Sequence, residues 1–591
     1  MVRSFLMAKT PPDGGEDERL TSFLDDVFER EVDDSPLLQG QLGRRTGRYG
    51  EWDNFSDAHE QDIVNRVRRD LEHLESRFDY DRLSDDLRLS YDVFKFNAQQ
   101  RLSNFQFRYH DYVVTQHISR ISGLPNVLQN FHQINGTEDA NAYVSRLVKL
   151  EEVMSQVVSR LQTRADMGII APSLSFSYVI DDARAIISGS PMEPSPNDNP
   201  LFADFRTKLE KLPASNQIKA SLLEQAAAAL VGPVRRGYQS FITKLQELRA
   251  KTQRNDGAWS LPDGATYYDN RIKNFTTLDM TAEEVHQTGL DEVARIQNEM
   301  IAIKEQVAFK GSLQAFFKFV REDPENYYPD GEAGRQLFLA EARTQIDSIY
   351  QTVHRYFNRV PKADLEVRRV ESWRENTGGI AFYSRASSDG SRPGIYYANL
   401  RDMRSVQKYV FTAITYHESV PGHHFQNAIA QELTDLPAFR KNGSYSAFGE
   451  GWALYAEQLA KEMGFYQDPL RNFGRLQNEL WRAARLVIDT GLHVKKWTLE
   501  DGVRYFQDNT PLSDGDIKTE VERYLVVPGQ ALSYTIGLLK MLELRSKAQR
   551  ELGGKFDIRT FHNSVLGSGA LPLPILERVI DDYIASKRIQ S

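Results

Sequence analysis

The chain has 591 residues, a formal charge of −9 and a pI near 5.8, with 40% hydrophobic and 26% charged residues. These are the proportions of a globular chain with room for two domains or one large helical unit, and its acidity argues against non-specific nucleic-acid binding. It has no cysteine, which excludes disulfides, thiolate metal sites and cysteine nucleophiles, and it has no apolar run long enough to predict a membrane-spanning helix.

The start, "MVRSFLMAKTPPDGGEDERL", offers only "FLMA" as an apolar stretch, too short for a signal-peptide core. Cytoplasmic and exported compartments both stay open, the latter if a leader has been removed. From Leu20 to Ala250 apolar residues recur three and four apart among charges, as in "DIVNRVRRDLEHLESRF" and "AYVSRLVKLEEVMSQVVSRLQTRA". The prolines of "SGSPMEPSPNDNPLF" predict a surface loop. This half gathers no chemistry and reads as scaffold and one wall of a cleft. At "GAWSLPDGATYYDN" the texture changes, placing a boundary near residue 255 between an N-terminal helical region (1–255) and a catalytic region (256–591). Beyond it, "LEVRRV", "GIAFYSRAS" and "RPGIYYANL" predict short strands around the turn "SSDGSRPG". From "RSVQKYVFTAITYHE" onward the pattern is again helical.

The stretch "TYHESVPGHHFQ" concentrates three histidines, His417, His423 and His424, beside Glu418. Zinc hydrolases commonly carry His-Glu-x-x-His on a helix, where positions i and i+4 share a face and the glutamate serves as base to the attacking water. In a straight helix here, His423 would point roughly 120° away from His417, and His424 would share its face but lie roughly 10 Å along the axis. Pro421 forbids a regular turn and Gly422 supplies the dihedrals of a bulge. Absorbing two residues makes His423 the second ligand; absorbing three gives His424 that place. The smaller distortion favours His423. The alternative is a helix ending at Ser419, a turn and two incidental histidines.

"SAFGEGWALYAEQLAKEMG" supplies a third ligand, Glu450, near the start of a helix whose packing face carries Trp452, Leu454, Tyr455 and Leu459. Two histidines and a carboxylate leave a zinc position open, as catalysis requires. Glu457, two turns along the same face, is placed to orient a ligand histidine from behind, or is a solvated helix carboxylate.

"HESVPGHHFQ" with "GEGWALYAE" resembles the family of domain of unknown function 885, grouped with the gluzincin metallopeptidases. "GEGWALYAE" is similar to the Asn-Glu-Gly-Phe-Ala segment of gluzincin aminopeptidases, whose glutamate binds zinc. The stretched first motif is similar to the dipeptidyl-peptidase III pattern with its one inserted residue; here there are two. "RAARLVIDTGLHVKKWTLEDG" and "EVERYLVVPGQALSYTIG" extend the resemblance over roughly residues 370 to 545.

The resemblance implies a mainly α, gluzincin-like metallopeptidase with two helical halves around a deep cleft and a small β-sheet next to the active-site helix. It implies a Zn2+ site of His417, His423 and Glu450, with His424 as the alternative to His423, and Glu418 as general base. A later helix then supplies the oxyanion donor, Tyr534 first and His493 second. Arg482, Arg485, Arg523 and Tyr524 are candidates to bind a substrate carboxylate, or to pair with acidic neighbours. The strand "GIYYANL" is a candidate edge for an extended peptide. The expected partner is a peptide or small amide, with no nucleic acid and no transmembrane segment, and the oligomeric state is open. The same constellation also serves hydrolysis of a non-peptide amide or ester, and a non-catalytic helical binding protein is the remaining alternative.

Overall fold

The amphipathic runs of the first half fold as helices, among them Asp57–Arg77, Asp85–Phe105 and Thr137–Asp166. The computed structural model describes residues 14–117, 120–252, 254–370, 375, 379–386, 392–434 and 436–589. The "FLMA" stretch and residues 387–391 of the predicted turn lie outside them. Where "AAAALVGPVRRG" carries Pro233, the chain does not break. A wide π turn, Leu230–Val234, absorbs the missing N–H and joins helices Asn216–Ala229 and Arg235–Lys251. The proline-rich stretch runs as turns until Pro200 opens a helix, capped by the Asn199 side chain.

Helix Ala282–Gln306 begins in a reciprocal cap. Glu284 donates its backbone N–H to the Thr281 hydroxyl at 3.2 Å, and the Glu284 carboxylate accepts the Thr281 N–H at 2.8 Å. It packs along a long helix, Pro469–His493, which is buried continuously from Phe473 to His493. That helix also packs on Lys408–Glu418, buried on every side from Tyr409 onward. Helices buried all round lie at the centre of a large domain rather than on its surface.

The strands form as β1 (Leu365–Arg369), β2 (Ala381–Ser384) and β3 (Gly394–Ala398). The sheet order is β1-β3-β2, with β1 parallel and β2 antiparallel to β3. Tyr396 of β3 therefore lies opposite both Val367 and Tyr383. The expectation that "GIYYANL" offers a free edge is corrected: β3 is the middle strand, and its backbone is engaged on both sides. Among the described residues the molecule is thus mainly helical with one three-stranded sheet. Apolar packing gathers in two large clusters, one drawn from residues 52–248 and one from Val93 and residues 293–584. Among the described residues no single helix is long and apolar enough to cross a membrane.

Candidate metal centre and its surroundings

Helix Lys408–Glu418 stops at Ser419, whose backbone (φ −111°, ψ −109°) leaves the helical region. A second helix, His423–Gln431, starts after Gly422. The interruption is a break between two helices rather than a bulge within one. Gly422 is needed for close approach, not for a positive φ. Its φ is −79°, but an added Cβ would lie 2.0 Å from the carbonyl oxygen of His417 and 2.4 Å from that of Tyr416. The reversal is fastened from the side, where the buried Trp452 indole N–H meets the Pro421 carbonyl.

The break turns His423 back toward His417, and the two imidazole rings stand perpendicular with centroids 4.8 Å apart. Glu450, on helix Ser446–Glu462, completes the group. Its Oε2 lies 3.5 Å from His417 Nε2 and 3.4 Å from His423 Nε2. One donor atom from each of the three falls within 4.8 Å of the others. Zinc bonds of about 2.0–2.2 Å at tetrahedral angles put neighbouring donor atoms about 3.3–3.6 Å apart, so this donor set fits such an ion.

His424 turns the other way. It is fully buried against the sheet, its Nδ1 3.2 Å from the Tyr383 hydroxyl. Gly394 of β3 makes room for that meeting, since a Cβ there would lie 2.5 Å from the Tyr383 hydroxyl and 2.7 Å from His424 Nδ1. The structure brings His423, and not His424, to the cluster.

Glu457 stands behind His417, 2.8 Å from its Nδ1 and almost wholly buried. A proton held on Nδ1 toward that carboxylate leaves the Nε2 lone pair facing Glu450 and His423. Burial opposes a charged His417, yet Glu450 and Glu457 outweigh it and lift its pKa to about 9. Burial likewise works against the Glu450 carboxylate, and the two imidazoles more than offset it, holding its pKa well below the usual carboxylate range. Protons and a cation therefore compete for the same donors.

Glu418 is buried beside the cluster, and its Oε2 has no hydrogen-bond partner among the described residues. Burial raises its pKa, against the pull of His417 and His423. Tyr534 arrives on helix Ser533–Leu552. That helix crosses Ser446–Glu462 with backbones nearly touching, because Gly451 meets Gly537: a Cβ on Gly451 would lie 2.4 Å from the Gly537 carbonyl carbon. Burial, and next the charge of Glu450, raise the Tyr534 pKa, so it stays a hydrogen-bond donor at neutral pH.

His417, Glu418, His423, Glu450 and Tyr534 line one cavity of about 1030 Å³. Arg482, Arg485 and Arg523 line it as well. His493 does not. It accepts the Ala258 N–H on Nδ1 at 2.9 Å and sits 3.0 Å from the Tyr524 carbonyl through Nε2, so both ring nitrogens serve packing. Its place as an oxyanion donor is corrected on that ground. Tyr524 is corrected too: it is buried outside the cavity, its hydroxyl between Glu520 and Arg485. The residues that the sequence reading missed come from far along the chain. Asn97, Gln100 and Asn104 of helix Asp85–Phe105 and Phe382 and Tyr383 of β2 also face the cavity. No local motif marks them.

A family model described as "Bacterial protein of unknown function (DUF885)" matches residues 36–580. The chain belongs to the DUF885 family. Among solved structures, this DUF885 chain is similar to the "putative lipoprotein" from Colwellia psychrerythraea, with a TM-score of 0.90 and 30% identity over 97% of this chain and 99% of that one. It shares its fold with a "putative lipoprotein of unknown function" from Shewanella oneidensis, at a TM-score of 0.74 and 16% identity over 95% of this chain and 99% of that one. No curated protein matches it.

Proposed function

We propose that this DUF885 protein is a zinc-dependent hydrolase of the gluzincin type that cleaves peptide bonds of oligopeptides, with its helical parts flanking the substrate cavity. The observation that carries the reading is the spacing of the His417, His423 and Glu450 donor atoms, 3.4–3.5 Å between each imidazole and the carboxylate. The buried Oε2 of Glu418 beside them, which has no hydrogen-bond partner among the described residues, supports it. His417, His423 and Glu450 would hold the ion, which when bound supplies Lewis acidity to water and to a carbonyl group.

The chain's own groups do the remaining work. Glu418 takes a proton from the attacking water as the water oxygen bonds to the carbonyl carbon. Burial raises its pKa, which favours a group that must accept and then release a proton. Tyr534 donates its O–H to the oxygen on which negative charge develops. Glu418 then delivers the proton to the nitrogen as the C–N bond breaks, so the amine leaves neutral. Glu457 keeps the His417 ring fixed through Nδ1.

The test is Glu418→Gln, assayed for zinc content and for cleavage of a mixed peptide library. Retained zinc with cleavage lowered by at least about a thousandfold is expected if the base and its proton transfer are removed. A fully active variant overturns the assignment.

A further inference from the structure

The cavity has a second polar wall, made of arginine. Arg482 and Arg485 stand one turn apart on helix Pro469–His493, and Arg523 comes from helix Asp514–Val526. Among the described residues one carboxylate touches this wall: Glu520 lies 3.0 Å from Arg485 and 2.9 Å from Arg523. Arg523 is further held by Gln530. Arg482 has no carboxylate within ion-pair distance among the described residues. Its hydrogen bonds go to the backbone and side-chain oxygens of Asn478, at 3.3 and 3.1 Å. Glu457 and Glu418 feel its charge only from farther off.

Arg482 and Arg485 are 6% and 3% exposed. Nε of Arg482 and Nη1 of Arg485 are nevertheless buried with no partner among the described residues. A buried guanidinium with no carboxylate beside it, as Arg482 is, carries a costly uncompensated charge, which an anion in the cavity relieves. The groups are also held in place. Arg482 lies 4.5 Å over the Trp481 ring, and Arg485 lies 4.4 Å over the ring of Tyr534. Tyr534, Glu450, His417 and His423 line the same cavity, so the arginine wall adjoins the histidine–glutamate cluster. A planar, rigid fork of donors suits a carboxylate taken in two-point contact.

We propose that Arg482 and Arg485, flanked by Arg523, form a subsite for the C-terminal carboxylate of a peptide, so that cleavage falls near the C-terminal end of the substrate. The cleavage part of this inference rests on the hydrolase reading above; the binding part does not.

The experiment is calorimetric titration of the full chain with three short ligands: acetyl-Ala-Ala as the free acid, the same peptide as its C-terminal amide, and acetyl-Ala-Glu amide, whose only carboxylate is on the side chain. The acid is expected to bind at least about tenfold more tightly than either amide, as loss of a charge-assisted two-point contact requires. In Arg482→Gln that preference is expected to fall away. Equal binding of acid and amide, binding of none of the three, or equally tight binding of the Glu amide overturns the proposal, and none of these readings needs the variant to fold. Cleavage of longer peptides adds a separate readout. Equal turnover of acid and amide forms would sink the subsite and leave the hydrolase standing. A preference for acids in binding without any turnover would support the subsite and sink the hydrolase.

Discussion

The Trp452 indole N–H donates to the Pro421 carbonyl at 2.8 Å, tying the helix that carries Glu450 to the break that turns His423 around. The two halves of the candidate metal centre are therefore joined by this buried hydrogen bond as well as by the one between His417 and Glu457. Trp452→Phe leaves the Pro421 carbonyl unpaired in a dry interior. A loss of about 1–3 kcal/mol is expected in denaturant unfolding, with zinc affinity lowered about tenfold as His423 loses its fixed position.

Two glycines near the site should respond in opposite ways. Gly422→Ala sets a methyl group against the His417 and Tyr416 carbonyls, both backbone atoms that cannot swing aside. Loss of zinc binding and a large fall in thermal stability are expected. Gly449→Ala, next to Glu450 in a helix, meets nothing within 4 Å. It should hold zinc as the parent does and gain about 0.5–1 kcal/mol of stability, the usual helical difference between alanine and glycine. Paired unfolding and zinc titrations of the two variants check this.

Glu457→Gln keeps the shape of the side chain and removes its charge from behind His417. Zinc affinity is expected to fall about 10–100-fold with the fold intact. Unchanged affinity would make Glu457 a packing residue only.

Acid should destabilise the protein before its carboxylates titrate. Burial lowers the pKa of His132 and His562 to about 3 and that of His493 to about 4. These rings are neutral when folded and take up protons when unfolded, so the unfolded state binds more protons below pH 6.5. Their contribution is complete above that pH and is lost as pH falls toward 4. Each site is expected to account for roughly 1–2 kcal/mol at pH 5. Denaturation midpoints measured from pH 6.5 down to 5 should fall steadily, and a flat profile over that range contradicts the assignment.

How far the sequence reaches can be judged residue by residue. Helices and the three strands are legible because their periodicity is local, and the metal candidates are legible because Pro421 and Gly422 mark a forced departure from the helix. The direction of each ring is not local. His423 and His424 differ by one position, and the one that turns toward the sheet meets Tyr383 across the gap left by Gly394, residues remote in the chain. His493 looks chemical in the sequence because a lone histidine carries no sign of its partners; those are Ala258 and Tyr524, both remote in the chain. The middle place of β3 depends on its insertion between β1 and β2, pairing parallel with β1, which strand propensity does not encode. The Gly451–Gly537 crossing that brings Tyr534 to Glu450 is likewise a contact between distant segments.

The central claim is that His417, His423 and Glu450 share one ion, and calorimetric zinc titration of chelator-treated protein tests it most directly. One zinc per chain is expected for the parent and for His424→Ala, with affinity lowered at least about a hundredfold in His423→Ala and in Glu450→Ala as a ligand is lost. Undiminished zinc binding by His423→Ala, or none by the parent chain, would contradict the account.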